Sequence, residues 1–309
     1  MDYNRRTEAL PSDRTISGEI SKAELDGGVD LYLTLASGQS YRWRRADGDL
    51  FDRPTSWPTP WYETVADDVV IRVRETEEAL EYRGTDGVDT TLNRLLRLDD
   101  DLDHILSAGP DREIYRDAIQ TCRGMRLVED SLYVGLISFI CSTNMRVERI
   151  HSMVQSLMER FGDRYELDGR PFFGFPEPAA LAAASTEEIQ RCGLGYRAPY
   201  VKRTAEAIAT NEISLPEPTL SYEDRRNALT AYHGVGPKVA DCALLFGAGD
   251  LEAVPLDRWI KRAIETYFPA CLGGNYDETS RAIRASLGPY PGYAQTYLFH
   301  HLRVGDVEV

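Results

Sequence analysis

The amino-acid sequence predicts an α+β fold in which a small N-terminal antiparallel β-sheet precedes a helical body. Three features of the 309 residues support this class: early segments with alternating apolar residues, glycine turns between them, and helical periodicity after about residue 95. A hydrophobic content of 42% is enough for one or two packed domains. We therefore expect an N-terminal β domain at residues 1–105 and a helical domain at residues 106–309.

Two early segments have the pattern of a strand with one buried face. Apolar and polar residues alternate over residues 29–35, and a similar alternation occurs over residues 69–74. Gly27-Gly28, Ser37-Gly38 and Asp47-Gly48 are turn signals around them. These observations predict a strand over each segment, with Gly38 in the turn that ends the first strand.

Helical periodicity dominates the rest of the sequence. Residues 131–142 are apolar on nearly every side, which predicts a central buried helix, and residues 147–161 carry apolar side chains at helical spacing. Further helices are predicted near residues 187–192, 198–210, 222–232, 237–247, 258–268, 277–286 and 292–303.

The chain is acidic and poor in lysine. It has 50 acidic and 35 basic side chains, and its lysines are Lys22, Lys202, Lys238 and Lys261. This composition indicates adaptation to high salt, in which a carboxylate-rich surface keeps a protein in solution. The N-terminus is polar and no apolar run approaches about 18 residues, so we expect neither a signal peptide nor a membrane helix, and a cytoplasmic protein.

Cysteine and histidine usage argues against a metal centre. The five cysteines are widely and irregularly spaced, and the five histidines form no HExxH motif. The close ligand spacings of zinc and iron–sulfur sites are therefore missing from the sequence. We expect reduced thiols and no metal.

The distribution of charge leaves room for a nucleic-acid partner. Residues 63–111 hold 14 acidic and 5 basic side chains, whereas residues 223–262 hold six of each. DNA binding normally depends on lysine and arginine releasing counterions from the phosphate backbone, and this contribution weakens in high salt. A salt-adapted protein would have to bind DNA through directed hydrogen bonds instead.

Residues 226–247 have the pattern of a helix-hairpin-helix. A helical segment leads into Gly234-Val235-Gly236, Pro237 opens a second helix, and Lys238 follows at once. Glycines let a phosphate approach the free amides at a helix N-terminus, where the helix dipole favours an anion. Taken alone, a Gly-x-Gly turn is more often an ordinary connection between helices.

A second motif, Val254-Pro255-Leu256-Asp257, places Asp257 nineteen residues after Lys238. A hairpin with an early lysine and a later Val-Pro-x-Asp resembles the HhH-GPD superfamily of helix-hairpin-helix DNA glycosylases. The likeness is to its 8-oxoguanine DNA glycosylase/AP lyase branch in particular. It extends over about residues 30–305 and is specific, in the same order, at residues 37–43, 139–144, 194–198, 234–242, 253–257 and 294–299.

The resemblance implies two catalytic residues. Lys238 matches the nucleophile that attacks the sugar C1′ and forms a Schiff base, and Asp257 matches the carboxylate that stabilises the sugar cation. Without the resemblance, Lys238 would be interpreted as a solvated charge and Asp257 as a helix N-cap. A chain that otherwise avoids lysine has no purely electrostatic reason to keep one here, since arginine would serve.

The resemblance also implies a pocket for a flipped base. The carbonyl of Gly38 would read the N7–H group that distinguishes 8-oxoguanine from guanine. Cys242 and Phe299 match the two residues that sandwich the base, and Gln295 matches the amide that reads its Watson–Crick edge. On their own, Gly38 would be a turn glycine, and Cys242 and Phe299 would be core residues.

Further residues would hold the DNA around the flipped nucleotide. Asn144, Arg149 and Arg197 match residues that hydrogen-bond the orphan cytosine, and Tyr196 matches the aromatic wedge that fills the gap. The resemblance implies a monovalent cation at the hairpin carbonyls, and no other cofactor. Backbone phosphates would be bound at Gly234, Val235, Gly236 and Val239.

Three positions depart from the family pattern. Met145 and Arg146 stand where eukaryotic members carry asparagines, and Trp259 stands where they carry a histidine. These departures affect contacts at the opposite base and at one phosphate. Arg258 is a candidate replacement for the missing phosphate contact.

Taken together, the resemblance and the composition imply a monomeric, nucleoid-associated glycosylase that excises 8-oxoguanine opposite cytosine and cleaves the strand by β-elimination. Its partner is double-stranded DNA that contains oxidised guanine. One alternative is a monofunctional glycosylase for alkylated bases, which uses the aspartate without the lysine. The other is a non-catalytic DNA-binding module that uses the hairpin alone.

Overall fold

The computed structural model describes residues 15–143 and 145–305. Its N-terminal part contains an antiparallel sheet in the order β1-β5-β4-β3-β2. This confirms the predicted sheet and the strand predicted at residues 69–74. The strands are β1 (Ile16–Ser21), β2 (Arg44–Arg45), β3 (Tyr62–Ala66), β4 (Val69–Glu75) and β5 (Ala79–Gly84).

The strand predicted over residues 29–35 is wrong, because this segment forms helix α1 (Leu31–Ala36). The carboxylate of Asp30 accepts a hydrogen bond of 2.8 Å from the amide of Leu33 and so caps the helix. Five of the six helix residues are buried, so the alternation of residue types does not mark one exposed face. Gly38 consequently follows a helix and not a strand.

The remainder of the chain is mainly helical, as predicted. A π-helical segment, Gln190–Leu194, extends α8, so the helix predicted near residues 187–192 is irregular. The helices are α2 (Val88–Leu96), α3 (Leu102–Ser107), α4 (Glu113–Thr121), α5 (Leu132–Cys141), α6 (Val147–Phe161), α7 (Pro178–Ala183), α8 (Thr186–Ile189), α9 (Ala198–Ala209), α10 (Tyr222–Leu229), α11 (Pro237–Ala248), α12 (Arg258–Tyr267), α13 (Tyr276–Ser286) and α14 (Pro291–Val304).

The helical part also contains a hairpin that sequence periodicity did not indicate. Strands β6 (Arg164–Leu167) and β7 (Arg170–Phe173) pair antiparallel around a turn at Asp168-Gly169. Four-residue strands are too short to give a clear alternation. Within the ranges that the structure describes, no helix combines the length and the apolar character that crossing a membrane requires.

Helices α5 and α11 pack closely at the centre of the larger hydrophobic core. Glycines make the approach possible: a Cβ atom on Gly135 would lie 3.1 Å from the Cα atom of Gly247. This contact fixes α11, which begins directly after the Gly234–Gly236 turn of the helix-hairpin-helix, against the buried helix α5.

A buried arginine ties the N-terminal part to the helical part. Arg126 is 0% exposed, and its guanidinium donates hydrogen bonds to backbone carbonyls only. The acceptors come from the loop before α1 and from the segment that follows α2, with N···O distances of 2.8–3.3 Å, and they are Asp26, Gly28, Arg97, Leu98 and Asp100. A buried charge is tolerated when its donors are satisfied in this way.

The segment that contains Gly38 is fixed by hydrogen bonds and an ion pair with Arg126 and the residues that follow it. The side-chain amide of Gln39 donates through Nε2 to the backbone carbonyl of Arg126 at 3.0 Å. Its Oε1 accepts a hydrogen bond from the backbone amide of Val128 at 3.1 Å. Asp130 accepts from Ser40 at 2.7 Å and pairs with Arg42 at 3.1 Å. These buried contacts leave the backbone on both sides of Gly38 little freedom.

We expect Arg126→Met to lower the free energy of unfolding by at least about 3 kcal/mol, because several buried carbonyls lose their donor. Urea denaturation followed by circular dichroism measures this change. Arg123→Met is the matched control, since Arg123 is exposed three residues earlier, and it should stay within about 0.5 kcal/mol of the parent protein. Equal destabilisation of both variants would contradict the role assigned to Arg126.

Candidate active site

Lys238 lies in the first turn of α11, directly after the hairpin. Gly236 is the N-cap residue and Pro237 opens the helix, which projects Lys238 from its second position. The ammonium nitrogen lies 3.4 Å from the hydroxyl oxygen of Ser142 and 5.6 Å from the ring centroid of Phe139. The side chain is half-buried, so the amine is partly removed from water as a nucleophilic lysine requires.

Cys242 lies one helical turn after Lys238, on the same face of α11. Burial raises the pKa of the Cys242 thiol to about 11, although the neighbouring charge of Lys238 opposes this. The thiol is therefore neutral at physiological pH. A neutral, apolar sulfur next to the lysine suits a wall against which a base stacks.

Asp257 is the N-cap residue of α12, which is the role that the sequence alone predicted. Its carboxylate caps α12 by accepting a hydrogen bond of 2.8 Å from the amide of Ile260. Burial raises the pKa of Asp257, while the Ile260 amide and the charge of Lys238 act in the opposite direction. The carboxylate is thus half-buried and within electrostatic reach of the lysine.

Gly38 faces the start of α6 and the end of α14. Its φ angle of +94° is one that glycine adopts readily. A Cβ atom here would lie 3.1 Å from a methyl carbon of Val147 and 3.6 Å from Nη1 of Arg303. The glycine is therefore needed both for its backbone conformation and for the space beside it.

Gln295 and Phe299 are one turn apart on α14 and so share a face of the helix. Gln295 is buried and its amide donates to the hydroxyl of Thr296 at 2.6 Å. Phe299 is half-buried and packs against the larger core, with the guanidinium carbon of Arg303 5.4 Å from its ring centroid.

Sequence reasoning missed two residues of this region, Tyr41 and Arg303. Tyr41 is buried beside Phe139, with ring centroids 5.8 Å apart, and burial raises the pKa of its hydroxyl. Arg303 continues the four-residue spacing of Gln295 and Phe299 along α14, which is the signal that would have indicated it.

The hairpin leaves backbone amides free at the start of α11. The first hydrogen bond within this helix runs from the amide of Ala240 to the carbonyl of Gly236, so the amides before it have no helical partner. The amide of Val235 instead donates to Tyr232, within the hairpin, at 3.1 Å. Val235 and Val239 bury their side chains, so any contact of these two residues with a phosphate would be through the backbone, and the amide of Val235 is already engaged within the hairpin.

Gly234 packs directly on an aromatic side chain that also contacts Tyr196, the predicted wedge. Its φ angle is +83°, and a Cβ atom there would lie 2.7 Å from the ring of Tyr200. Tyr200 contacts Tyr196 and His233 with ring centroids 6.2 and 4.9 Å apart. The hairpin and the wedge are therefore connected by packed rings.

The residues that are predicted to contact the opposite DNA strand lie around Tyr196. Tyr196 is 57% exposed, whereas Arg197 is buried below it, with the guanidinium carbon 4.3 Å from the Tyr196 ring centroid. Arg197 also donates a hydrogen bond to the carbonyl of Thr143. Arg149 is exposed beside Gly193, and Asn144 lies outside the described residues.

The three departures from the family pattern have distinct surroundings. Met145 is half-buried against the larger core, and Arg146 is exposed at the start of α6. Trp259 is half-buried, and the guanidinium carbon of Arg258 lies 5.1 Å from the centroid of its ring. Arg258 is exposed, so a cation remains available next to Trp259.

A buried aspartate on α11, Asp241, forms hydrogen bonds with two tyrosines. Asp241 accepts hydrogen bonds of 2.6 Å from the hydroxyl groups of both Tyr222 and Tyr276. Burial raises the pKa of Asp241 to about 6, although these hydroxyl groups and Arg226 oppose the shift. Elsewhere in residues 15–143 and 145–305, no group of three or more His, Cys, Asp or Glu side chains is placed to hold a metal ion.

The fold and this site define a base-excision DNA glycosylase. Residues 20–133 match the N-terminal domain of 8-oxoguanine DNA glycosylase, and residues 137–288 match the HhH-GPD superfamily of base excision DNA repair proteins. The N-glycosylase/DNA lyase of Saccharomyces cerevisiae is 30% identical, and the alignment covers 91% of this chain and 84% of the yeast protein. The chain belongs to the 8-oxoguanine DNA glycosylase family of the HhH-GPD superfamily.

Two further comparisons agree with this assignment. A probable N-glycosylase/DNA lyase of Methanothermobacter thermautotrophicus is 29% identical over 90% of this chain and 94% of its own length. A solved structure of MBOgg1 in complex with a low-affinity DNA ligand superposes with a TM-score of 0.80 at 28% identity, covering 98% of this chain and 99% of that one. The protein is thus a DNA glycosylase with lyase activity.

The raised pKa of Asp241 gives a testable dependence of stability on pH. Because the folded-state pKa of about 6 lies above that of an unfolded aspartate, the stabilising contribution is present below about pH 4 and is lost as the pH rises through 6. We expect the unfolding free energy of the parent protein, relative to Asp241→Asn, to fall by roughly 3 kcal/mol between pH 4 and pH 8. Urea unfolding at several pH values measures this, and parallel pH profiles for the two proteins would refute the assignment.

Proposed function

We propose that the protein excises 8-oxoguanine paired with cytosine through a Schiff base on Lys238 and then cleaves the strand by β-elimination. The observation that carries this proposal is the half-buried amine of Lys238 within electrostatic reach of the Asp257 carboxylate and one turn from Cys242. A purely DNA-binding hairpin has no need for this combination. A monofunctional glycosylase has no need for the lysine.

The proposed chemistry begins with the lone pair of Lys238. The amine nitrogen forms a bond to C1′, and the bond from C1′ to the base breaks with its electron pair leaving on the base. The carboxylate of Asp257 stabilises the positive charge that develops on the sugar. The proton released by the lysine nitrogen neutralises the departing base.

Strand cleavage follows from the same covalent bond. The sugar ring opens at the bond from C1′ to O4′, the oxygen takes up a proton, and a Schiff base remains on Lys238. Loss of a proton from C2′ then expels the 3′ phosphate by β-elimination. Each step uses the nitrogen of Lys238, which is why arginine cannot replace it.

Discrimination between 8-oxoguanine and guanine is proposed to depend on the carbonyl of Gly38. An N7–H group donates to a carbonyl, whereas the N7 lone pair of guanine is repelled by it. The fixed backbone around Gly38 supports this role, because a mobile carbonyl would adapt to either base. Cys242, Phe299 and Gln295 would complete the pocket.

Contacts to the rest of the DNA complete the proposal. Tyr196 would fill the gap, and Asn144, Arg149 and Arg197 would hold the orphan cytosine. Arg197 would have to reach the cytosine from below Tyr196, since it is only 4% exposed in the free protein. Its Nε atom is buried without a hydrogen-bond partner in the part of the chain that the structure describes.

The hairpin is proposed to bind one phosphate through the backbone of Gly234, Val235, Gly236 and Val239, together with a monovalent cation at its carbonyls. Residues 230–240 contain no carboxylate, so the turn offers neutral oxygen ligands and suits a singly charged ion. Such binding needs little positive side-chain charge, which is consistent with the net charge of −15. We further propose that the protein acts as a cytoplasmic, nucleoid-associated monomer adapted to high salt.

Lys238→Gln is expected to reduce excision by at least about a thousandfold and to abolish borohydride trapping, because the amide cannot attack C1′. Trapping is measured on a duplex with one 8-oxoguanine opposite cytosine, beside an undamaged duplex and one with adenine opposite. DNA affinity, determined at low and high salt, should change little.

Lys261→Gln is the matched control for this experiment, since Lys261 is an exposed amine on α12, which Asp257 caps. It should trap like the parent protein. Trapping that survives in Lys238→Gln would identify another amine as the nucleophile. Release of free base without any covalent complex would indicate a monofunctional enzyme.

Gly38→Ala is expected to slow excision of 8-oxoguanine about tenfold or more, because a Cβ atom 3.1 Å from Val147 and a positive φ angle displace the carbonyl. Cleavage of a preformed abasic site, which presents no base to the carbonyl, should fall much less. Gly169→Ala is the control: Gly169 has a φ angle of +70° but open space around it. An unchanged preference for 8-oxoguanine over guanine would remove Gly38 from the pocket.

A further inference from the structure

Arg303 extends the face of α14 that carries the proposed base contacts. Gln295, Phe299 and Arg303 follow one another at intervals of four residues, so their side chains lie in one row along the helix. The guanidinium carbon of Arg303 lies 5.4 Å from the centroid of the Phe299 ring. An arginine therefore stands at the end of the row that receives the base.

The same guanidinium also lies beside Gly38. A Cβ atom on Gly38 would be 3.6 Å from Nη1 of Arg303. Arg303 is thus adjacent both to the proposed stacking surface of Phe299 and to the segment whose carbonyl is proposed to read N7. In 8-oxoguanine the carbonyl oxygen O8 is on C8, which is bonded to N7, and the carbonyl oxygen O6 is on C6, one atom beyond C5 on the other side of N7. Both oxygens accept hydrogen bonds.

Within residues 15–143 and 145–305, Arg303 has one hydrogen-bond partner. Nη2 lies 3.4 Å from Nδ1 of His300, and burial together with the charge of Arg303 lowers the pKa of that histidine to about 4, so the ring is neutral and accepts. Among the residues that the structure describes, no carboxylate lies within 4 Å of the Arg303 nitrogens. Glu148 and Asp257 act on the guanidinium only from a greater distance.

A half-buried guanidinium without an ion pair is costly unless a ligand supplies an acceptor. Burial lowers the pKa of Arg303, which is the expected direction for a cation that has lost water without gaining a carboxylate. Arginine nonetheless remains protonated at physiological pH. The region next to Gly38 and Phe299 therefore carries a positive charge that no carboxylate of the described residues pairs with.

We propose that Arg303 is a further catalytic residue that donates hydrogen bonds to a carbonyl oxygen next to N7 of the flipped 8-oxoguanine. The proposal rests on the proposed function and adds a residue to its base pocket. When the bond from C1′ to N9 breaks, its electron pair leaves with the base, whose oxygens share the negative charge until the proton from Lys238 neutralises it. A guanidinium beside those oxygens stabilises the transition state more than the bound, uncharged base.

The test compares two reactions of the same variant. Arg303→Gln should lower the single-turnover rate of 8-oxoguanine excision about 30- to 300-fold. Cleavage of a preformed abasic site should fall less than about threefold, because no base leaves in that reaction. Arg303→Lys keeps the charge and should recover part of the excision rate. Arg281→Gln is the control, since Arg281 is an exposed arginine paired with Glu223, and it should match the parent protein in both reactions.

The outcomes separate this proposal from the one on which it rests. Excision at the parent rate by Arg303→Gln overturns the role of Arg303. Equal loss of excision and abasic-site cleavage, with no recovery by Arg303→Lys, assigns Arg303 to folding or DNA binding and also overturns it. If the parent protein itself fails to excise 8-oxoguanine while it cleaves abasic DNA, the proposed function is wrong and this role of Arg303 falls with it.

Discussion

The hydrogen bonds between residues 37–42 and residues 126–130 are the constraint on which the rest of the site depends. Gly38 belongs to the N-terminal part of the chain, whereas Lys238 and Asp257 belong to the helical part. Base recognition and sugar chemistry concern the same nucleotide, so the two parts must be held in a fixed relation. The amide of Gln39 and the carboxylate of Asp130 provide this relation through buried polar contacts. The amide of Asp130 also donates to the carbonyl of Phe246 at 2.8 Å, which connects the junction to α11.

Helix α11 concentrates several roles in little more than one turn. In the proposed complex its N-terminal amides would face a phosphate, Lys238 would supply the nucleophile, and Cys242 would form a wall of the pocket. Asp241, in the same part of the helix, accepts hydrogen bonds from two tyrosines in a buried network. Because these positions belong to one helix, their relative placement follows from helical geometry and from the close contact with α5. One rigid helix would therefore hold the groups that contact the phosphate, the sugar and the base at fixed distances from one another.

The sequence predicted features that depend on local pattern and failed where distant contacts decide. The long amphipathic helix α6 and the largely buried helix α14 were predicted well, as was the hairpin before Lys238. Helix α1 was mistaken for a strand because its six residues are covered on most sides and its start depends on the cap at Asp30. Arg303 was missed because its importance comes from proximity to Gly38, which lies 265 residues away in the sequence. The domain boundary at residue 105 stays a prediction.

The use of arginine for permanent positive charge, together with the proposed binding of phosphate by backbone amides, explains how an acidic protein that is poor in lysine can act on DNA. Positive charge is supplied almost entirely by arginine, which pairs with carboxylates or stacks on rings at many sites in the described ranges. Arginine serves any role that requires a permanent cation, but it cannot lose a proton to become a nucleophile. The proposed site divides its cations along this line: Lys238 attacks the sugar, and Arg303 would stabilise the charge on the leaving base. Phosphate binding through backbone amides then removes the need for a basic surface, so the acidity of the chain and its affinity for DNA are compatible.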